Sequence, residues 1–204
     1  MTQTKQHEQD VDVWVGKRFP LTIRRLGVNG HGIGYYKHKV CFVPGALPNE
    51  VVVAEVTRVL PRYLEAKIHR IRKKSRDRVT PRDEYADIAG GFELENLAYQ
   101  QQLKFKRQVI IDSLEKFQPY GYRNYDVRPT IAAPEEYGYR NKAQFQVRMV
   151  NGKVAAGLYQ PNSHTLVDME TCAVQMPRTM ETVRAVTKMI EDLQIPVYDE
   201  KHNS

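Results

Sequence analysis

The stretch GVNGHGIGYYKHKVCFVPGALPNEVVVAEVTRVL, residues 27–60, decides how the first part of the chain folds. KVCFVPGAL reads as a strand that ends in a Pro-Gly turn, and EVVVAEVTRVL reads as a second strand. GVNGHGIGYY, ahead of them, reads as a glycine-rich turn. Gly30, Gly32 and Gly34 invite comparison with a phosphate-binding loop, but neither a following helix nor a Lys-Ser/Thr pair is present, and hairpin glycines are the better reading. Working outward, LTIRRL at 21–26 and EAKIHRI at 65–71 alternate apolar and polar residues. Short strands at this spacing, from Trp14 to Ile71, predict a small all-β barrel.

At 204 residues the chain has room for one large domain or two small ones. Its 41% hydrophobic and 27% charged content is that of a globular protein and excludes a disordered one. Lys and Arg number 31 against 24 acids, a net charge of +7, which favours a polyanionic partner; on composition alone a merely basic soluble protein fits equally well. Two separated cysteines, Cys41 and Cys172, make no disulfide framework. No apolar run approaches the roughly 20 residues that span a bilayer, and the polar start MTQTKQHEQD lacks the apolar core of a secretory signal. A cytoplasmic, reducing setting and no membrane partner are the expectation.

Residues 58–82 hold ten Lys/Arg and two acids, with IHRIRKKSRDR leading out of the barrel. That run is either a solvated linker or a basic edge that holds nucleic-acid backbone, and the second reading is preferred. A second domain is expected from near Thr80. Residues 97–117 have a helical pattern with Leu103, Ile110, Leu114 and Phe117 on one face, closed by Pro119. YRNKAQFQVRMV, the turn NGK and VAAGLYQ read as a hairpin, and SHTLVDMETCAVQ as a further extended piece. Pro177 opens a helix whose stripe of Met180, Val183, Val186, Met189, Ile190 and Leu193 reads as core.

No nucleophile–base–acid set emerges. His31, His38, His69 and His164 are scattered, without metal-ligand spacing. Asp168, Glu170 and Cys172 would share one strand face by alternation alone. No glycine fingerprint after a strand marks a dinucleotide or S-adenosylmethionine fold. The residues by themselves describe a basic, two-part binding module.

The chain resembles the N-terminal part of the 23S rRNA (uracil-5-)-methyltransferases, class I RNA methyltransferases that contain a TRAM domain. The first region that carries the likeness is the Gly-Ile-Gly, FVPGALP and EVVV series with its later Tyr63. The second is GGFELENLAYQQQLKFKRQVI, YGYRNKAQFQV and GLYQPNSHTLVDMETCAVQ. The resemblance implies an α+β chain: an OB-like five-stranded barrel (TRAM) over 13–74, then a small α/β central domain over 80–196. A tail would occupy 1–12, and 197–204 would begin a linker to a Rossmann-type methyltransferase domain beyond this sequence. It also implies a role, gripping folded 23S rRNA so that one uridine flips out and is methylated at C5. Such a protein uses S-adenosylmethionine, a cysteine that adds to C6 and a carboxylate base. All belong to the domain beyond this sequence, so Cys41 and Cys172 are not assigned as nucleophile, and the chain reads as a monomeric fragment. The alternatives are a stand-alone RNA-binding or ribosome-assembly module and a basic protein-interaction module.

Many members of that family hold an iron–sulfur cluster by Cys-x5-Cys-Gly-Gly-Cys and a distant cysteine. Laid on this chain, the pattern falls at Asp83, Ala89 and Phe92, with Cys172 as the fourth, which predicts no cluster and apolar packing in its place. The RNA-contact candidates are Arg24, Arg25, Lys37, Lys39, Arg62 and Tyr63 in the barrel. In the central domain they are Arg140, Asn141, Lys142, Gln144, Arg148, Ser163 and His164. An Arg fork and a Lys point charge suit phosphate, and an Asn amide suits a base edge. Lys142, Gln144 and Arg148 are placed on one strand face, and Tyr63 either stacks a base or packs half-buried. Ser163 and His164 either contact RNA or close a turn.

Overall fold

The computed structural model describes residues 13–198. It divides into two compact units, the first ending at Arg78 and the second beginning at Val79. The tail expected over 1–12 and residues 199–204 of the expected linker lie outside the described residues.

In the first unit β1 (Arg18–Thr22), β2 (Arg25–Leu26), β3 (Gly32–Tyr36), β4 (Lys39–Val43), β5 (Val51–Val59) and β6 (Tyr63–Lys73) form one sheet, ordered β1-β5-β6-β4-β3-β2. Every pairing is antiparallel except β4 with β6. The five-stranded closed barrel is therefore corrected: there are six strands, and no ladder joins β1 to β2. The cause is a break in one extended stretch. Ile23 donates to the Glu50 carbonyl at 2.9 Å and Arg24 to the Ile33 carbonyl at 2.8 Å, so β1 and β2 part to opposite edges of the sheet.

Alternation fills the interior as a period of two requires. Phe19 and Leu21 of β1, Cys41 and Val43 of β4, and Leu64 and Ala66 of β6 all face one core. Burial pushes the Cys41 thiol up to about 12, which leaves it inert. The sheet curls tightly enough that a Cβ at Gly34 would stand 2.7 Å from the Thr22 carbonyl, and one at Gly32 2.6 Å from that of Ala46. These two glycines are thus not hairpin glycines. They lie inside β3 and admit close backbone approach, while Gly30 alone sits in a turn.

One buried carboxylate closes this unit. Glu50 has no exposed surface, and it accepts from the Leu47 amide at 2.9 Å, the Ser75 amide at 3.2 Å and both arms of the Arg78 fork at 2.7 and 2.9 Å. Arg78 also donates to the Gly45 carbonyl at 2.6 Å. Burial alone would raise the Glu50 carboxyl, but the bonds from Arg78, Leu47 and Ser75 outweigh it and hold the group below the ordinary carboxylate range.

The second unit holds α1 (Tyr99–Phe117), β7 (Gln146–Val150), β8 (Lys153–Tyr159), β9 (Leu166–Asp168) and α2 (Pro177–Asp192). The strands form an antiparallel meander, β7-β8-β9, whose first two strands are the expected hairpin. α1 stops where Gln118 turns left-handed ahead of Pro119. None of its residues is buried: Ile110 is 53% and Phe117 73% exposed. Its expected apolar face meets no sheet. It is covered in part by the returning segment 122–133, through Arg107 to the Val127 carbonyl and Thr130 to the Leu103 carbonyl. α2 packs on β8. Met180 and Thr187 are buried and Val183 and Ile190 half-buried, but Val186, Met189 and Leu193 are exposed, so only part of the expected stripe is core. Arg184 fixes that contact by donating to the Ala156 and Met169 carbonyls and to Asp168.

Replacing Arg78 by Met leaves the Glu50 carboxylate buried with its main counter-charge gone. Urea unfolding should show a loss of about 3–5 kcal/mol. The native group titrates low, so its contribution is complete above the unfolded carboxylate value near about 4.3 and is lost as the pH falls through the folded value. The stability gap between the wild type and Glu50→Gln should therefore narrow in acid; a gap that widens there contradicts the assignment.

Candidate nucleic-acid interface

Charge is divided unevenly between the units. Residues 13–78 carry fifteen Lys/Arg and four Asp/Glu, whereas residues 79–204 carry fifteen and seventeen. The whole basic surplus therefore belongs to the first unit. Three of its four carboxylates are paired: Glu50 with Arg78, Glu65 with Arg58, and Glu55 with Lys67 at 3.0 Å and Arg18 at 2.6 Å, which hold the Glu55 carboxyl below its ordinary range; Asp77 forms no ion pair among the described residues. Arg24, Lys37, Lys39, Arg62, Arg70, Arg72, Lys73 and Lys74 form no ion pair among the described residues.

Four of the six barrel candidates come together. Parallel pairing of β4 with β6 sets Val40 opposite Tyr63, which brings the β3–β4 turn, with Lys37 and Lys39, to the same end of the sheet as Arg62 and Tyr63. Tyr63 is half-buried and meets Phe42 edge-on at 5.4 Å, so packing is its structural role. Arg24 and Arg25 stand beside Ile33, toward the other end of β3. The β3–β4 turn holds both Lys37 and His38 at positive φ, 45° and 68°. A two-residue hairpin of this type favours Asn-Gly, so a basic pair there sits against its backbone preference. That strain was legible only as the missing Asn-Gly in YKHK.

In the second unit the expectation of one strand face for Lys142, Gln144 and Arg148 is corrected. β7 begins at Gln146. The stretch before it is drawn away by a bridge to the 172–176 segment: Arg140 donates to the Val174 carbonyl, Met176 to the Arg140 carbonyl, and the Gln175 side chain to the Lys142 carbonyl. Arg140, Asn141, Lys142 and Gln144 lie exposed along this extended piece. β9 likewise ends at Asp168, so Glu170 and Cys172 share no strand face with it.

Arg148 and His164 do converge, through a residue that sequence reading missed. Tyr159 ends β8; its ring stacks on His164 at 5.5 Å, and its hydroxyl accepts from Arg148 at 2.7 Å. Ser163 closes the turn beneath, its Oγ accepting from the Thr165 amide at 2.9 Å. The tyrosine stood in GLYQPNSH, and its position at a strand end five residues before a histidine was the available signal.

The positions aligned with a metal loop also converge. Ala89 and Cys172 are buried in one apolar cluster with Met169 and Met180, and Phe92 packs against it. Asp83 is buried beside them and accepts from the Ala173 amide at 2.8 Å and the Tyr85 amide at 3.3 Å. Gly90 donates to the Tyr159 carbonyl at 2.9 Å and Gly91 takes φ +99°, so the glycine pair lays this loop against the end of β8. Burial first, then the Asp83 charge, raises the Cys172 thiol above its ordinary value. One protonated thiol, a carboxylate already engaged by two amides, and two hydrocarbon side chains do not fit a cluster that takes four thiolates. Among the described residues no group of His, Cys, Asp and Glu could hold a metal ion, and no helix is long and apolar enough to cross a membrane.

Residues 12–69 match the TRAM domain. Over 99% of its length the chain is 63% identical to an RNA methyltransferase of Lactiplantibacillus plantarum, itself uncharacterized, and covers 42% of that protein. Similar relatives, also named RNA methyltransferases, are found in Enterococcus faecalis (46% identity, 93% of this chain, 41% of the relative) and Listeria innocua (47%, 93% and 42%). The chain thus spans about two-fifths of the length of the curated relatives it matches. Among solved structures it is similar to the tRNA (uracil-54, C5)-methyltransferase of Pyrococcus abyssi, solved with S-adenosyl-L-homocysteine. The TM-score is 0.58 at 22% identity, over 90% of this chain and 40% of that one, which establishes likeness of fold. The TRAM match covers the sheet as far as His69 and includes Arg24, Lys37, Lys39 and Arg62, while Arg70, Arg72, Lys73 and Lys74 follow it directly.

Two substitutions probe this geometry through stability. His38→Gly should raise the stability of the TRAM domain by roughly 1 kcal/mol in thermal unfolding, because glycine occupies positive φ without the steric penalty. Asp83→Ala strands the buried Ala173 amide and should lower stability by about 1–3 kcal/mol. If Asp83→Ala is neutral, the carboxylate does not staple the loop.

Proposed function

We propose that this chain is the RNA-holding portion of an RNA (uracil-5-)-methyltransferase that acts on 23S rRNA. The observation that carries the proposal is the charge division: the TRAM domain concentrates cations that no carboxylate neutralises, while the second unit carries a slight acidic excess. Phosphate is the ligand such a surface suits, since each cation that meets a phosphate releases condensed counterions. Lys37, Lys39 and Arg62 hold backbone at one end of the sheet, with Arg24 and Arg25 as a second point of contact further along β3. Arg140, Asn141, Lys142 and Gln144 offer donors along an extended edge in the second unit. The names of the relatives support the methyltransferase reading, and the name of the solved neighbour supports the uridine C5 position.

The methyl donor implied is S-adenosylmethionine. The described residues contain no glycine-rich strand-to-helix turn that would hold it, so its site is assigned to the further length that the relatives possess. What this chain contributes is binding and orientation, which positions one uridine for a reaction carried out elsewhere in the protein.

The test is a salt titration of binding to 23S rRNA fragments. Affinity should fall steeply and linearly on logarithmic axes, and Lys39→Ala combined with Arg62→Ala should reduce the slope by about 2 without altering sequence preference. An affinity insensitive to salt, or no binding at low salt, would overturn the proposal.

A further inference from the structure

The second unit does not attract RNA by net charge, so whatever it recognises it must recognise at contact range. Its most organised exposed feature is a column of flat groups. The His164 ring lies nearly parallel to that of Tyr159, with 15° between planes and 5.5 Å between centroids. The Arg148 guanidinium lies 5.8 Å from the Tyr159 ring centre and 5.0 Å from that of Tyr198. The column is also rigidly built. Arg148 is held by the Tyr159 hydroxyl at 2.7 Å and by its neighbour Val147's carbonyl at 2.9 Å. The turn that carries His164 is tied three times: Gln160 to the Thr165 carbonyl, Ser163 to the Gln160 carbonyl, and Thr165 to the Ser163 hydroxyl. His164 is exposed.

We propose that the column takes one unpaired nucleobase, stacked on the outer side of His164. The inference rests on the RNA-holding role proposed above and narrows it to a ligand class. A base is a planar, polarisable group with two faces, and an ordered aromatic plane complements it. In a duplex both faces of every base are already covered by neighbours, so this subsite selects a base in a loop, bulge or flipped position. Preordering matters here: three hydrogen bonds and a ring contact place His164 before any ligand arrives, so little conformational entropy is lost on binding. The TRAM domain supplies the long-range attraction to backbone, and the column supplies a short-range check that an unpaired base is present.

The experiment uses the full chain and single-stranded RNA oligonucleotides of mixed sequence in which 2-aminopurine is moved along the strand. Quenching of the probe at a preferred position is expected with the wild type. His164→Ala should weaken binding about tenfold, equivalent to about 1.4 kcal/mol, while His164→Phe, which restores a flat ring, should stay within about twofold of the wild type. An abasic residue at the quenched position should cost the wild type about tenfold and cost His164→Ala nothing further. The salt slope of His164→Ala should match the wild type, because no phosphate contact is lost. Thermal melting of each variant shows whether the fold is kept, and the His164→Phe variant carries the test if His164→Ala melts early. The proposal is overturned if the abasic residue and His164→Ala add their losses, if quenching is absent, or if His164→Phe binds as poorly as His164→Ala. Steep salt dependence without quenching removes only the stacking site; absence of salt-dependent binding removes the RNA-holding role with it.

Discussion

The first unit depends on a carboxylate with no contact to water. An ionised carboxylate costs several kcal/mol to bury, more than any surface pair in this chain returns. Glu50 is tolerated because four donors converge on it: two backbone amides and both arms of Arg78. Those donors come from the turn after β4 and from the segment after β6, so satisfying one charge ties the β4–β5 connection to the chain that leaves the sheet. By contrast, Glu55 sits on the outer face under Arg18 and Lys67, where water screens the pairing. Removing Glu55 alters the surface; removing the Arg78 partner undoes the closure of the unit.

That arrangement also releases the remaining cations for another use. Arg78 is consumed internally, yet Arg70, Arg72 and Lys73 along β6, and Lys37, Lys39 and Arg62 at the sheet's end, form no ion pair among the described residues. Such a field reaches about 8 Å at physiological ionic strength. It can capture a phosphate backbone but carries no information about which bases are attached. Information has to come from short-range, ordered groups. The second unit carries ordered groups, Arg148, Tyr159 and His164, on a surface of nearly balanced charge.

The alternation in residues 18–73 was readable because side chains in a strand repeat every two residues, and burial on one side makes that repeat visible. The count of strands was not, because the split at Ile23 depends on two backbone bonds, to Glu50 and to Ile33, that leave no mark in composition. Gly32 and Gly34 were misread for a related reason: a glycine needed for close approach looks the same in sequence as one needed for a turn. In the second unit YRNKAQFQVRMV alternates throughout, yet only its last part pairs, since residues 140–142 are claimed by 174–176 more than thirty positions away. Of the candidate site, the cations were legible by type. Their grouping required the parallel β4–β6 register, and Tyr159 required the turn that folds His164 back onto it.

The loop around Asp83 is tied by one carboxylate to a distant part of the chain. Asp83 is ninety residues from Ala173, so the bond between them closes a long stretch of chain, and closing such a loop is what a metal or a disulfide would otherwise do. One amide-to-carboxylate bond gives less than either. The deficit is met by the apolar cluster of Ala89, Met169, Cys172 and Met180, whose burial stabilises by roughly 25 cal/mol per Å² removed from water. The cost of the carboxylate appears in its neighbours. Burial, with the Asp83 charge added, raises the Cys172 thiol, and burial raises the Glu95 carboxyl although the Asp83 amide donates to it. A second negative charge in this place would oppose the first, which is why a thiol that stays protonated is compatible with Asp83 and a thiolate is not.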